Sequence, residues 1–298
     1  MMALSWLRIA MVAVGGMSAF PLSSFAVTIE QGSGANAAAI QAAVDAFRTT
    51  LGSPDNLNAP GPLGSGRREI NWDGGGATSG TAAVTPFTVF QNTRGATFTT
   101  PGIGLTQTPV TGGTVDIIPG GALQGSLADI NATYATTFVT FSPVRLFTPL
   151  GSNITEGTFS IPGTGGAVPA TVAGFGAVFA DVDLANTTSI QYFNANGASL
   201  GTFFAPTANN GLSFLGVSGL GDGIARVLIT TGNSALGPSE VVGAAAVDVV
   251  VMDDFLYGEP RAVVPEPSAI LLFATGMGGL AWFRRTRGSR RHPDEETL

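Results

Sequence analysis

No cysteine and no lysine occur anywhere in the 298 residues, and the one histidine, His292, stands close to the C-terminal end. Each absence removes chemistry. Without Cys, Lys or an available His in the long middle of the chain, thiol nucleophiles, Schiff bases, Ser-His-Asp triads and histidine-ligated zinc or iron centres are excluded there. Oxygen chemistry remains: carboxylates acting as acid and as base or nucleophile, as in glycosidases, or carboxylates and carbonyls holding calcium. An exported chain without disulfides must rest on core size, bound metal or both. Positive charge is scarce too. Between residues 27 and 265, seven arginines face sixteen acidic residues, an excess of nine negative charges. That balance argues against nucleic acid and against docking on anionic lipid.

The two ends of the chain carry what the middle lacks. Residues 1–26 contain Arg8, an apolar run from Ile9 to Met17, and small residues at Ser24 and Ala26. This pattern predicts a signal peptide removed after Ala26, although a single basic residue leaves an uncleaved anchor as the alternative. At the other end, Ser268 to Phe283 are sixteen residues without charge. As a helix they would extend roughly 24 Å, short of a hydrocarbon core of about 30 Å unless the membrane is thin there. Arg284, Arg285, Arg287, Arg290 and Arg291 follow at once. Flanking basic residues stay on the cytoplasmic side, which places the body, residues 27–263, outside and the acidic tail, residues 292–298, inside. A buried core helix would instead need a shell of protein around it, and only a short tail follows. No use can be assigned to the acidic tail end.

Val264-Pro265-Glu266-Pro267, then the apolar helix at 268–283, then the arginines of 284–291, resembles the PEP-CTERM sorting signal of Gram-negative bacteria. The resemblance implies transient membrane insertion through the C-terminal helix and recognition near Pro265-Glu266-Pro267 by an exosortase-like enzyme. It also implies removal of the tail and delivery to the cell surface or an exopolysaccharide matrix. Each proline fixes φ and discourages helix at the preceding residue, so the motif stays extended in front of the apolar run.

In the body, "ANAAAIQAAVDAFRTTL" at 35–51 predicts one amphipathic helix, with Ile40, Val44 and Phe47 on one face and Gly52 ending it. The remainder reads as mainly β. Runs such as "FTVFQNTRGATFTT", "TYATTFVTFSPVRLF", "AGFGAVFADVDL" and "AVDVVVMDDFLYG" are separated by turn residues, as expected of a sandwich. "SIQYF" and "SLGTFF" flank "NANGA", a strong hairpin signal. The span Ala173 to Glu259 resembles the jelly-roll-like β-sandwich domains of bacterial surface proteins, related in layout to galactose-binding-type modules. "GRREINWDGGG" at 66–76 is similar to the opening segment of an uncharacterised secreted family, which brings no activity with it. Its Trp72 is expected to pack over a turn, beside an outward charged edge.

Asp181 and Asp183 lie two apart, which on a strand sets both on one face with Cα atoms about 6.5 to 7 Å apart, suited to a shared cation. Asp253 and Asp254 are adjacent, so a regular strand would send them to opposite faces and let only one join that site. The expected calcium set is therefore Asp181, Asp183 and one of Asp253 and Asp254, completed by carbonyls. Solvated strand edges or turn-capping aspartates would explain the same residues, and Asp222 in "GDGIA" reads as a turn. A glycosidase could use Asp181 with Asp183, or Asp73 with Glu69. Against it, only Trp72 remains in the body to build a sugar platform, and close carboxylates more often share a metal or a proton. The three Asn-x-Ser/Thr sites at Asn131, Asn153 and Asn186 read as chance in a Thr-rich bacterial chain. The expectation is a non-enzymatic, exported surface protein that binds polysaccharide, with a purely structural matrix component as the competing reading.

Overall fold

The structure is a computed structural model that describes residues 26–263, apart from 77, 79, 121–123, 222 and 239–245. The expected leader apart from Ala26, the motif at 264–267, the apolar run, the arginine cluster and Asp222 lie outside the described residues. In chain order the elements are β1 (Thr28–Gly34), α1 (Ala37–Leu51), β2 (Arg67–Ile70), α2 (Gln91–Arg94), β3 (Ala96–Thr99), β4 (Gly104–Pro109), α3 (Leu127–Ile130) and α4 (Tyr134–Thr137). There follow β5 (Arg145–Leu150), β6 (Ile154–Phe159), β7 (Ala170–Thr171), β8 (Gly174–Val182), β9 (Ser189–Phe193) and β10 (Ser199–Phe204). The last are β11 (Ala208–Ser218), β12 (Arg226–Thr230), β13 (Val251–Gly258) and β14 (Arg261–Ala262).

Helix α1 forms where the alanine-rich stretch predicts it, beginning two residues later than the pattern implied. Asn36 caps it, its side chain accepting from the Ala39 N–H at 3.3 Å, and Gly52 closes it at φ 95°. Ile40, Val44, Phe47 and Leu51 form its buried stripe. Strand β1, just before it, is not among the segments that the sequence pattern marks as β. Its glycines serve packing. A Cβ on Gly34 would meet the Ala39 side chain at 2.4 Å, and one on Gly32 the Ala43 side chain at 3.0 Å, so the small residues let the helix lie against the strand.

Strands pair antiparallel into a seven-stranded sheet, in the order β1-β11-β8-β13-β5-β4 with β2 also on β13, and a five-stranded sheet, β10-β9-β12-β6-β3. The larger core lies between them. It joins Phe98, Phe159, Ile190, Tyr192, Val227 and Ile229 of the smaller sheet to Phe147, Phe175, Phe179, Leu215, Phe255 and Tyr257 of the larger. On its other face the larger sheet is covered by α1, α3 and α4, whose Phe47, Leu127 and Tyr134 meet Val178, Phe214 and Val251. Strands β8 and β13 are thus buried on both sides, which is why they read as near-continuous apolar runs rather than as alternation.

Two expected β segments are only partly so. "FTVFQNTRGATFTT" contains the helical turn α2 before β3, and "TYATTFVTFSPVRLF" opens with α4, its strand starting at Arg145. Tertiary packing overrode local preference: Tyr134 and Phe138, one helical turn apart, pack at 4.9 Å in the second core, and the Tyr134 hydroxyl donates to Gly237 O. The hairpin at Asn196-Gly197 is as expected, with Gly197 at φ 78° and Asn194 Oδ1 accepting from the N–H groups of Asn196 and Ala198.

Trp72 is the hub of the aromatic core. It stacks on Phe147 at 3.7 Å with planes 3° apart, meets Phe90, Phe98 and Phe255 edge-on, and donates its indole N–H to Asp253 O at 2.9 Å. The following glycines wrap a buried arginine. Arg145 donates to the carbonyls of Gly74 and Gly76, and a Cβ on Gly75 would lie 2.8 Å from its guanidinium.

Candidate functional site

The expected calcium set, Asp181 and Asp183 with one of Asp253 and Asp254, is not assembled: the four aspartates form two separate pairs. Strand β8 ends at Val182, and Asp181 takes φ 68°, so the regular alternation expected there is broken. Across from it, β11 carries a bulge: Ala208 pairs with Val182 and Leu212 with Ala180, leaving Asn209 to Gly211 opposite Asp181. The Asn210 N–H donates to Asp181 Oδ1 at 2.7 Å. The left-handed residue brings the carboxyls of Asp181 and Asp183 within hydrogen-bonding reach of each other. Asp181 Oδ2 and Asp183 Oδ1 are buried and accept no hydrogen bond. A third carboxylate, which sequence reasoning missed, stands beside them: Asp248 accepts from the Asp183 N–H at 3.0 Å and from the Thr187 hydroxyl. Burial pushes Asp181 up to about 7, the Asn210 N–H opposing it and Asp183 and Asp248 adding to it. Burial, then the charge of Asp248, also raises Asp183.

Asp253 and Asp254 sit at another bulge. Met252 pairs with Phe179 and Phe255 with Ala177, so both aspartates oppose Val178 alone. They do not point to opposite faces: both carboxyls reach Ser142, Asp253 accepting from its hydroxyl at 3.2 Å and from the Phe141 N–H at 2.6 Å. The register sets them three residues from Asp181, about 10 Å along the sheet. Among the described residues no group of three or more Asp, Glu, His or Cys side chains is placed to hold a metal ion together.

Burial and the neighbouring Asp254 raise Asp253 well above the usual carboxylate range; burial takes Asp254 to about 6, against its contacts with Ser142 and Asp253. The sign follows by linkage. The folded chain keeps protons that the unfolded chain releases above about 4, so this pair's contribution to stability is lost as pH rises from about 4 through 6. Asp254→Asn should supply an N–H to Asp253 and remove one titration. Its Tm should exceed that of the wild type at pH 8 by about 2–4 °C and fall less between pH 5 and 8. A parallel pair of Tm-against-pH curves would show that the two carboxylates do not interact.

The alternative acid pair is differently committed. Glu69 bonds Arg48 at 2.8 Å and Arg67 at 2.6 Å, and despite burial these bonds hold it below its usual range. Asp73 accepts from the Arg145 N–H at 3.1 Å. A cleft of about 580 Å³ lies elsewhere, between the end of β4 and α4, lined by Pro109, Val110, Ala135, Phe138, Val139 and Val144 with two threonines and no carboxylate.

The five-stranded sheet offers a different surface. Its inner residues Ile190, Tyr192, Val227 and Ile229 are in the core, so Gln191, Phe193, Arg226 and Leu228 face outward and are half-buried. Registers align Phe193, Arg226, Thr158 and Thr97 in one row across four strands, and Gln191, Leu228, Glu156 and Thr99 in the next. The Arg226 guanidinium lies 3.6 Å from the centre of the Phe193 ring and bonds Glu156 at 2.8 Å. Period-two alternation in "SIQYF" and "ARVLIT" carried this signal, but the acidic pairs drew the sequence reading away from it.

Compared with known families, residues 263–285 match the PEP-CTERM protein-sorting motif. The C-terminal segment is therefore a sorting signal, which implies export, membrane anchoring before processing by an exosortase, and then placement at the surface. No curated protein and no solved structure matches the chain.

Proposed function

We propose that the exported body is a polysaccharide-binding module of the surface matrix and that it binds through the outward face of the five-stranded sheet. The Phe193–Arg226 stack carries this reading: a flat aromatic ring covered by a planar guanidinium, flanked by hydrogen-bonding side chains, is a surface on which sugar rings can stack. Glu156 neutralises Arg226, so the patch suits an uncharged polyol rather than an anionic polymer. Thr158 and Thr97 supply donors and acceptors along the Phe193–Arg226 row, which spans about 14 Å, and Gln191 supplies them in the next row. Sorting to the cell surface would bring such a face to matrix glycans. We read binding rather than catalysis, because the close acidic pairs are buried at bulges of the larger sheet, Glu69 is tied to Arg48 and Arg67, and no carboxylate lines the cleft. The passage from β8 into the β9–β10 hairpin and back to β11 beside β8 fits a jelly-roll-like layout with an added helical layer.

Binding of the exported protein to the producer's matrix polysaccharide, followed by affinity electrophoresis, tests this. Phe193→Ala and Arg226→Ala should each weaken binding about tenfold or more, with Tm nearly unchanged because both side chains face outward. Retention equal to that of the wild type in both variants would move the ligand off this face. No saturable binding by the wild type would leave a purely structural matrix component.

A further inference from the structure

We propose that Asp181 and Asp183 share one proton, held between Asp181 Oδ2 and Asp183 Oδ1, and that this proton is a pH-sensitive latch fastening the end of β8 to the bulge of β11. Asp181 is 1% exposed, and the Asn210 N–H satisfies its Oδ1 while nothing donates to its Oδ2. Asp183 Oδ1 is buried beside it and equally lacks a donor. Two ionised carboxylates within reach of each other repel, whereas a single proton makes one carboxyl a donor and the other its acceptor. No further ligand is needed for that.

The charges set against the pair are negative. Asp248, on the chain leading into β13, raises both residues, while its own oxygens accept from the Asp183 N–H and the Thr187 hydroxyl. The β11 bulge meets the pair with two neutral residues, Asn209 bonded to Asp183 and Asn210 to Asp181. From β13, Val251 stands beside Ala180, and that strand's two acids, Asp253 and Asp254, are engaged at Ser142. A proton is what offsets the charge here, and burial, with Asp183 and Asp248 adding to it, takes Asp181 to about 7.

Release of the proton acts on a definite part of the chain. Asp181 and Asn210 are both left-handed, at φ 68° and 49°, and the bond between them ties β8 to the bulge. Residues 183–188, which lead into β9, hang from Asp248 beside the same pair. A second negative charge is relieved by opening these two segments to water, while β8 stays paired with β11 from Ala180 back to Gly174. The sign is that of a raised carboxyl: the latch is closed in mild acid, and its contribution is lost as pH rises from about 4 through about 7.

Hydrogen exchange of the full chain in detergent, read by mass spectrometry at pH 5 and pH 8 and corrected for intrinsic rates, tests the latch. Protection of residues 183–188 and 208–212 should fall at least about tenfold more than that of Arg226–Thr230 in the other sheet. Asp181→Asn suits the left-handed backbone, and its amide N–H can donate to Asp183 Oδ1 in place of the proton; Asp183→Asn can donate to Asp181 Oδ2 from the other side. Each should lose most of this pH dependence, and Asp254→Asn should keep it. The proposal is overturned if these wild-type segments change no more than Arg226–Thr230 between the two pH values. It is also overturned if both asparagine variants at 181 and 183 retain the wild-type pH dependence.

Discussion

Replacing Glu259 by alanine is expected to destabilise the body by about 3–5 kcal/mol, a large part of the 5–15 kcal/mol that folded domains typically possess. The reason is what the substitution leaves behind. Arg68 is fully buried and donates to Glu259 through Nε at 2.6 Å and Nη2 at 2.8 Å, and to the carbonyls of Leu57 and Ala59. Asn56 and the Leu63 N–H bond the same carboxylate, so one ion pair pins the segment between α1 and β2, which has almost no regular structure of its own. Alanine would strand an arginine charge in the core and release that segment. Burial alone would raise the Glu259 pKa, but its bonds from Arg68 and Asn56 lower it below 4.5. The sign is therefore that of a depressed carboxylate: its contribution is present above about 4.5 and is lost in acid. Urea unfolding at pH 7 should show the midpoint lowered by at least about 1 M, with a smaller deficit at pH 4. Replacing both partners by leucine should cost less than either single change, because no unpaired charge remains. A single Glu259→Ala variant as stable as the wild type at pH 7 would show that the pair is dispensable.

Legibility in the sequence followed the physics of each element. Helix α1 was readable because its signals agree: an asparagine cap, an alanine-rich body, apolar residues at helical spacing and a closing glycine. The β9–β10 hairpin was readable because Asn-Gly specifies its own turn. Strand β1 was hidden because its glycines serve a neighbour, the helix lying on it, and such a contact leaves no local trace. Arg68 and Glu259 are 191 residues apart, so nothing in "GRRE" distinguishes the fully buried Arg68 from the half-buried Arg67 beside it. The acidic residues were found, but their arrangement was misjudged. Strand alternation placed Asp253 and Asp254 on opposite faces, whereas a bulge turns both to Ser142. The closeness of Asp181 and Asp183 comes from a left-handed residue, not from a regular strand. Bulges are set by the register of the partner strand, which a single segment does not reveal. The sheet face was the reverse case, since Phe193 and Arg226 stand in plain alternation, and only their pairing across strands makes them a surface.

Glu266→Ala is expected to block maturation almost completely while leaving export and membrane insertion intact. Glu266 is the only charged residue between Arg261 and Arg284, and it stands between the two prolines of the matched sorting motif. Proline restricts its own φ and the residue before it whatever stands between the two, so alanine should remove the carboxylate with little change in the conformations open to the motif. The apolar run from Ser268 to Phe283 is untouched, and with it the free energy of insertion. The precursor should therefore accumulate in the membrane fraction, heavier than the surface form by about thirty residues if processing removes the segment after the motif. Neutralising Arg284, Arg285, Arg287, Arg290 and Arg291 together should fail differently. With no basic flank to keep the tail on the cytoplasmic side, the chain should slip from the membrane, and both precursor and surface form should decline there. Intact-mass measurement of membrane and surface fractions separates the two defects. Wild-type surface protein that still carries its apolar segment, or normal processing of Glu266→Ala, would show that the motif is not the recognition element.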